Sequence, residues 1–254
     1  MKIKSSILSA LLVSASFVSC YKPVETFSEP DDPVALTSEQ EMAWNNVDKG
    51  LNAAWGSTDV AYQRSVVPSG LSSEPCRLTV WKGERASAQL VLWSGEEKSS
   101  VECKVGNFKG QGVKMPSSIA SAYFVRYTLA DQITPEFLKS HRYKKGKTPS
   151  QIAPDMLDTL DRFDMQARTA RPVWISLNIP QDAQPGVYKA DVTVSHRGFG
   201  KTVLPIEVEV LDHTLPSPQE WGYHLDLWQH PSSVARAHGL EMWSDAHFAA
   251  LEPV

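Results

Sequence analysis

Residues 171–212 constrain the fold more strongly than any other part of this sequence. Three runs within them alternate hydrophobic and polar side chains, which is the pattern of strands with one buried face. The hydrophobic positions are Val173, Ile175, Leu177 and Ile179, then Tyr188, Ala190, Val192 and Val194, then Leu204, Ile206, Val208 and Val210. Proline or glycine in the intervening segments, 180–186 and 196–200, places a turn after each of the first two runs. The stretch therefore predicts an antiparallel three-stranded meander within a β-sandwich.

Further short strands of the same sandwich are predicted at residues 77–82, 86–93, 99–105 and 119–129. Gly83 and Glu84 form the turn between the first two of these runs. Residues 131–160 are long and polar for a connection in a compact domain, so we expect them to pass over the surface. The lysines at 144, 145 and 147 favour a solvated loop over a site for an anionic glycan. The predicted fold class is thus mainly β, an antiparallel sandwich of the immunoglobulin or jelly-roll type.

The first twenty residues have the pattern of a lipoprotein signal peptide. Lys2 and Lys4 precede an apolar core at residues 7–18 that is too short to span a bilayer. A small residue before Cys20 resembles a bacterial lipobox, in which Cys20 would carry the lipid and become the mature N-terminus. Phe17 stands where leucine is usual, so cleavage by the ordinary signal peptidase is the alternative. The pattern predicts a lipid-anchored protein of the cell envelope, at the outer membrane or in the periplasm.

The segment after the predicted signal peptide is polar and then becomes helical. Residues 21–36 are rich in Pro, Glu and Asp, which is typical of a solvated tether. Thr37 and Ser38 each begin a capping box, and apolar residues at roughly helical spacing follow as far as Trp55. We therefore expect an N-terminal helix packed on the sandwich, with Gly50 and Gly56 as candidate stops.

Charge and cysteine content narrow the possible partners. The net charge is −4 and no basic stripe is present, which argues against a nucleic-acid partner. Three cysteines are few for a disulfide scaffold. In an oxidising compartment Cys76 and Cys103 either pair with each other or remain as two buried thiols in strands, and the sequence leaves both alternatives open.

The residues after Pro218 change in character. Residues 221–228 predict a short strand with His224, Asp226 and Trp228 on one face, and two short helices follow. We expect Ser232 or Ser233 to cap the first helix and Ser244 with Asp245 to cap the second. A strand, a loop and helices in this order are typical of the first unit of a β/α barrel, which takes about 250 residues. The predicted organisation is a signal peptide at 1–20, a tether at 21–36, a sandwich at 37–218 and an incomplete barrel at 219–254.

Four motifs in this order resemble glycoside hydrolase family 123. They are WKGER at 81–85, the predicted hairpin from PVW at 172–174 to PGVY at 185–188, HLDLWQHP at 224–231, and WSDAHF at 243–248. The resemblance runs from about Trp44 to the end of the chain. It implies a lipoprotein signal, an N-terminal β-sandwich and a catalytic barrel. It also implies a β-N-acetylgalactosaminidase, in which the acetamido oxygen of the substrate attacks the anomeric carbon while an adjacent aspartate and glutamate orient it and protonate the leaving oxygen.

The sequence departs from that family pattern at the catalytic pair. It contains no Asp-Glu dipeptide, so we expect no catalytic residue in this chain. His224, Asp226, Trp228 and His230 would lie at the start of the barrel, where Trp228 and His230 mark the strand end that carries barrel active sites. They either line a sugar pocket, with Trp228 stacking on a pyranose, or are structural barrel residues. We expect no cofactor, and a metal site is disfavoured because no zinc-type ligand spacing is present.

Two functions of different classes follow from these observations. The first is the non-catalytic N-terminal portion of a family 123 glycosidase that acts on a glycan containing N-acetylgalactosamine. The second is a lipid-anchored β-sandwich that binds a glycan or another surface protein in its own right.

Overall fold

The computed structural model describes residues 29–32, 35–110, 112–131, 150–198, 200–226 and 228–252. These residues fall into two compact units that divide between Leu215 and Pro216. The predicted signal peptide with Cys20 lies outside the described residues, as do the lysine cluster at 144–147 and most of the predicted tether.

The first unit is a β-sandwich, which confirms the mainly β fold class. Its described residues contain one short α-helix, α1 (Ser38–Ala43), and twelve strands. The strands are β1 (Asn52–Gly56), β2 (Cys76–Lys82), β3 (Arg85–Ser94), β4 (Lys98–Val105), β5 (Phe108–Lys109), β6 (Lys114–Met115), β7 (Ala120–Asp131), β8 (Ser150–Asp158), β9 (Phe163–Met165), β10 (Thr169–Asn178), β11 (Gly186–Ser195) and β12 (Lys201–Thr214). Single-turn 3₁₀ helices lie at Trp44–Asn46 and Ser117–Ile119.

The strands form two sheets. One is five-stranded in the order β1-β3-β10-β7-β8, and the other has the order β2-β12-β11-β4-β9, with β5 beside β11 and β6 beside β5. The pairing is antiparallel throughout the described ladders except between β12 and β2, which run parallel. Both sheets contribute to one hydrophobic cluster, which is the core of the sandwich.

The alternating side chains of residues 171–212 form the centre of that core. All twelve hydrophobic positions identified in the sequence are buried, and Val173, Ile175 and Leu177 are completely so. The matching face of β3, which carries Leu90 and Leu92, is also fully buried. Burying a large aliphatic side chain contributes about 1.5–3 kcal/mol, so the period-two pattern accounts for much of the driving force of this fold.

The prediction of a three-stranded meander is wrong for its first strand, β10. β11 and β12 do form an antiparallel hairpin, but β10 lies in the other sheet between β3 and β7. The connection at residues 179–185 crosses from one sheet to the other. Its side chains Ile179 and Ala183 are buried in the core between the sheets. The Ile179 N–H also donates to the carbonyl of Glu84, which ties this connection to the turn between β2 and β3.

The N-terminal helix is shorter than predicted. Thr37 caps α1 through a complete capping box with Gln40, as expected, with distances of 3.2 and 2.9 Å. The helix ends at Ala43, and residues 52–56 form β1 instead, which pairs with β3. Ala54 and Trp55 are buried there, because a strand beside β3 satisfies their backbone groups and covers their side chains at once.

The polar stretch at 131–160 is not a single surface connection. Residues 150–158 form β8, which pairs with β7 along most of its length and closes one edge of the five-stranded sheet. Ile152 of β8 is fully buried. The strand was not predicted because its sequence does not alternate regularly. The register shifts between Arg126 and Tyr127 of β7, which leaves Asp155 of β8 without a paired residue, and polar residues flank the strand.

The two thiols of the sandwich are free. Cys76 lies in β2 and Cys103 in β4, and both are half-buried. Burial raises the pKa of both thiols, and that of Cys103 to about 12. Both are therefore protonated and poor nucleophiles at neutral pH.

The second unit contains two short helices, α2 (Pro231–His238) and α3 (Asp245–Leu251), and a 3₁₀ turn at Pro218–Glu220. The predicted cap of α3 is confirmed, because the Ser244 hydroxyl accepts from the His247 N–H at 3.2 Å. The predicted cap of α2 is wrong: His230 precedes the helix, and Pro231 occupies its first position. Ser232 and Ser233 therefore lie within the first turn.

The predicted strand at 221–228 is not observed among the described residues of that segment. Tyr223 and Leu225 are more than half exposed, and Leu227 lies outside the described residues. A strand requires a neighbour that accepts its ladder hydrogen bonds, and no described strand lies in this unit. The alternating pattern alone therefore does not produce a strand here.

Candidate functional site

The predicted sugar-contacting residues of the second unit are all exposed. Two of these four side chains, His224 and Asp226, contact each other: Nε2 of His224 lies 3.0 Å from Oδ1 of Asp226. Trp228 is 94% exposed. His230 is also exposed, and its side chain makes no capping hydrogen bond to α2. The structure thus brings the His–Asp pair together and leaves the indole of Trp228 open to solvent.

Aromatic residues just before this pair form a second exposed feature. Trp221 and Tyr223 stack with ring centroids 5.2 Å apart and planes 12° from parallel. The Trp221 indole N–H donates to the carbonyl of Pro216 at 3.1 Å, which fixes its ring. A stacked, partly exposed aromatic pair offers a flat apolar surface of the kind that pyranose rings contact.

A groove on the outer face of the five-stranded sheet is the better-formed site. We call it the outer groove; its volume is about 490 Å³, and its lining residues are Thr58, Asp59, Val60, Ala61, Gln89, Val125, Pro154, Asp155, Leu157 and Trp174. Its floor comes from three adjacent strands, because Gln89 lies in β3, Trp174 in β10 and Val125 in β7. The loop after β1 and the residues of β8 form its two walls.

Strand register explains why Trp174 lies at the centre of this floor. Trp174 is directly opposite Gln89 on one side and Tyr123 on the other. Directly opposed residues of an antiparallel pair share a face, so these three side chains form one row. Because Val173 and Ile175 point into the core, Trp174 must point outward, and it is half-exposed there.

One wall of the outer groove is held in place by hydrogen bonds. The Gln89 amide donates to the carbonyls of Ser57 and Val60, at 2.5 and 3.1 Å. The hydroxyl of Tyr62 accepts from the Ser57 N–H at 3.2 Å, and the Tyr62 carbonyl accepts from the hydroxyl of Tyr127 at 2.8 Å. The loop at 57–62 is therefore fastened to the sheet at several points, and the groove is largely preformed.

A buried ion cluster of Glu29, Arg64, Arg126, Asp158 and Arg171 lies near the start of β10. Arg171 is opposite the buried Leu92 of β3, so it is on the core-facing side of the sheet and not on the face of Trp174. Arg171 of β10 donates to both carboxylate oxygens of Glu29 and to the carbonyl of Val125. Glu29 also accepts from the backbone N–H of Tyr127 at 2.9 Å and pairs with Arg64 at 3.4 Å. Glu29 was predicted to lie in a solvated tether, but these contacts bury its carboxylate against the sandwich.

The ion cluster perturbs the acids that belong to it. Burial alone would raise the pKa of Glu29, but the hydrogen bonds and charge of Arg171, with Tyr127 and Arg64, outweigh it and hold the pKa below its usual value. Burial would likewise raise the pKa of Asp158, and the contact with Arg126 lowers it. Both acids are therefore ionised at neutral pH and act as structural counterions.

The outer groove was not identified from the sequence, although one signal for it was present. The alternation of residues 173–179 places Trp174 on the face away from the core, and an outward tryptophan on a central strand is conspicuous. Its surroundings come from residues 58–61 and 154–157, which are distant in sequence from Trp174 and from each other. Local pattern cannot show that these segments meet.

The described residues contain no group of three or more His, Cys, Asp or Glu side chains placed to hold a metal ion. No helix within the described part of the chain is long and apolar enough to cross a membrane.

Comparison with known proteins places these features in a family. A sequence profile of the glycoside hydrolase 123 N-terminal domain matches residues 55–196, more than half of the chain. The chain belongs to glycoside hydrolase family 123. A profile of the glycoside hydrolase 123 catalytic domain matches residues 228–254. Trp228 and His230 fall within that second match, whereas His224 and Asp226 precede it.

A solved member of the family shares this fold. A family 123 glycoside hydrolase from Clostridium perfringens, studied for the details of glycolipid glycan hydrolysis, has a TM-score of 0.67 and 20% sequence identity to this chain. The match covers 79% of this chain and 34% of that enzyme, so the chain spans about a third of its length.

Other solved structures overlap less closely. The periplasmic chaperone SfaE has a TM-score of 0.31 and 11% identity, over 67% of this chain and 61% of the chaperone. The macrocyclisation catalyst AvmM has a TM-score of 0.33 and 7% identity, over 67% of this chain and 92% of AvmM. No curated protein matches the sequence.

Proposed function

We propose that this protein is the non-catalytic N-terminal portion of a family 123 glycosidase that acts on glycans containing N-acetylgalactosamine. The observation that carries the proposal is the match of the N-terminal domain profile to residues 55–196, the part of the chain that forms most of the sandwich. The likeness to the Clostridium perfringens enzyme supports the same assignment at the level of the fold.

The chemistry of the chain supports a role without turnover. Retaining glycosidases use two carboxyl groups about 5–5.5 Å apart, or in substrate-assisted families a neighbouring pair that orients the acetamido group and protonates the leaving oxygen. This sequence has no adjacent Asp-Glu pair. Asp226, the acid among the predicted sugar-contacting residues, is exposed and contacts His224 rather than a second carboxylate.

We further propose that His224, Asp226, Trp228 and His230 contribute to sugar binding. The 94% exposed indole of Trp228 is available to stack on a pyranose, and His224 and Asp226 together offer a donor and an acceptor for sugar hydroxyls. This role accords with the position of Trp228 and His230 inside the segment that matches the catalytic domain.

A direct assay tests the absence of turnover. The purified chain is incubated with 4-nitrophenyl β-N-acetylgalactosaminide, with the Clostridium perfringens enzyme as the positive control and a mock preparation as the negative control. We expect no release of nitrophenol above the mock preparation. Turnover that Asp226→Asn abolishes would contradict the proposal and assign catalysis to this chain.

The second candidate function is a lipid-anchored sandwich that binds a glycan or a surface protein by itself. The preformed outer groove, with Trp174 in its floor, favours this alternative. The two functions are compatible, because a non-catalytic domain of a glycosidase can hold part of the substrate. The anchor on Cys20 is proposed from the signal-peptide pattern, and it would place the sandwich at the cell envelope.

A further inference from the structure

We infer that the outer groove binds a neutral oligosaccharide whose ring stacks on Trp174. This inference deepens the proposed function, since it assigns a glycan-binding site to the sandwich itself. All the residues that line the outer groove belong to the first unit.

The floor of the outer groove has the composition that sugar recognition requires. Trp174 supplies an aromatic surface for the apolar face of a pyranose, and Val60 and Leu157 extend that surface with side chains that are 45% and 47% exposed. The Gln89 amide nitrogen already donates hydrogen bonds to the loop at 57–62. Gln89 therefore fixes the form of the groove and does not select the ligand.

The two walls of the outer groove each carry a carboxylate that is open to a ligand. Asp59 lies on the loop after β1 and Asp155 on β8, so they face the floor from opposite sides. Both are exposed, and no hydrogen bond or ion pair of either carboxylate is found among the described residues. Carboxylates accept hydrogen bonds from hydroxyls without an accompanying charge on the ligand, as sugars require.

Charge distinguishes between classes of glycan. The described residues that line the outer groove include two acids and no Lys, Arg or His. A sialylated or sulfated glycan would place its anion beside Asp59 and Asp155 without a compensating cation, which is unfavourable. A neutral glycan meets no such repulsion.

Size and rigidity fit the same ligand. The volume of about 490 Å³ lies within the range of about 300–1,000 Å³ that is usual for small-molecule sites. Because the loop at 57–62 is fastened by Gln89, Tyr62 and Tyr127, little ordering is needed when a ligand enters. An open groove bounded by two walls also leaves room for a chain of sugars to extend beyond the stacked ring.

Isothermal titration calorimetry with the full chain tests the inference. The probes are a neutral oligosaccharide that ends in β-linked N-acetylgalactosamine and the same oligosaccharide carrying one sialic acid. We expect binding of the neutral probe and weaker binding of the sialylated one. Trp174→Ala should weaken binding of the neutral probe by about tenfold or more, because it removes the stacking surface. Asp155→Asn should weaken it by a smaller factor.

Matched variants separate the site from general effects. Trp81→Ala removes a tryptophan of β2 that is 41% exposed on the other sheet, and it should leave the affinity unchanged. Melting curves show whether Trp174→Ala is folded; if it is not, Trp174→Phe and Asp155→Asn carry the test, with Phe retaining most of the affinity.

Several results would overturn the inference. One is that the wild-type chain does not bind the neutral probe. Another is that Trp174→Ala and Asp155→Asn both bind it with unchanged affinity. Equal or tighter binding of the sialylated probe would do the same. Loss of binding in Trp228→Ala but not in Trp174→Ala would move the site to the second unit, which refutes the outer groove while leaving the proposed function intact. Capture of a peptide at Trp174 in place of the glycan would also refute it.

Discussion

Glu29 and Arg171 form a salt bridge that fastens the segment before the sandwich to the middle of the five-stranded sheet. Nη2 of Arg171 lies 2.8 Å from Oε2 of Glu29, and the two side chains are only 4% and 11% exposed. The guanidinium also stacks over Phe163, 4.2 Å from its ring centroid. Arg171 is thus a buried cation whose counterion comes from a residue 142 positions earlier in the chain.

Glu29→Gln should destabilise the sandwich. The substitution keeps the size of the side chain but removes its charge, leaving Arg171 buried without its main counterion. Breaking a buried ion pair from one side costs about 3–5 kcal/mol, and we expect a loss in the lower part of that range because Gln retains one acceptor. Urea denaturation followed by circular dichroism measures the loss. Glu74→Gln, at an exposed position, is the control and should change the stability by less than about 0.5 kcal/mol. Equal stabilities of the two variants would contradict the prediction.

The ion cluster should also make stability depend on pH in the acid range. The pKa of Glu29 is lowered in the folded state, so as the pH falls the unfolded chain binds this proton first. Its contribution is complete above the ordinary pKa of glutamate, about 4.3, and is lost as the pH falls through the lowered folded-state pKa. Asp158 adds to the effect with the same sign.

The measurement is the free energy of unfolding in urea at pH 7, 5, 4 and 3. The wild-type chain should lose stability most steeply below about pH 5. Glu29→Gln lacks one of the two titrating acids of the ion cluster, Glu29 and Asp158, so its stability should decline less steeply. Glu74→Gln should follow the wild type. Parallel curves for all three proteins would show that Glu29 does not carry the dependence.

The sequence predicts the burial of individual residues more accurately than the pairing of strands. Period-two alternation identifies the inward face of a strand, and every such position in residues 173–210 is in the core. Alternation contains no information about the partner strand, so β10 was expected beside β11 although it pairs with β3 and β7. The buried side chains of Ile179 and Ala183, which lie in the connection, are the physical signal that the chain crosses between sheets there.

Long-range contacts explain the other differences. Ala54 and Trp55 fit a helical period as well as a strand, and pairing with β3 decides in favour of the strand. The alternation of residues 173–179 leaves Trp174 on the outward face, but the outer groove around it depends on β8 and on the loop after β1. Glu29 was assigned to a tether because its neighbours are polar, and nothing local indicates that Arg171 would bind it.

The anchor prediction is tested by cell fractionation. If Cys20 carries the lipid, Cys20→Ala should move the protein from the membrane pellet to the soluble fraction, because the apolar core of the signal peptide is too short to hold it in a bilayer. Immunoblots of both fractions after a carbonate wash give the readout, with Cys76→Ala as the matched control. Retention of Cys20→Ala in the pellet would contradict the lipobox prediction.

His247→Ala should loosen the pair of helices in the second unit. His247 is completely buried, and its Nδ1 accepts from the Trp243 N–H at 2.9 Å. Nε2 therefore carries the proton and donates to the carbonyl of Pro231, also at 2.9 Å, so the ring connects the start of α2 to the turn before α3. Trp243 has a positive φ of 66°, a conformation that costs about 1–3 kcal/mol and persists only where its surroundings hold it.

Removing the imidazole leaves both backbone groups without this partner and adds a cavity, and each unsatisfied buried group costs about 1–3 kcal/mol. We expect the amide protons of α3 to exchange at least about tenfold faster in His247→Ala, as measured by hydrogen exchange and mass spectrometry. His247→Gln, which retains a donor and an acceptor, should recover part of the protection. His238→Ala, at an exposed position of α2, should leave exchange in α3 unchanged. Wild-type exchange rates in His247→Ala would mean that contacts other than this imidazole hold the two helices together.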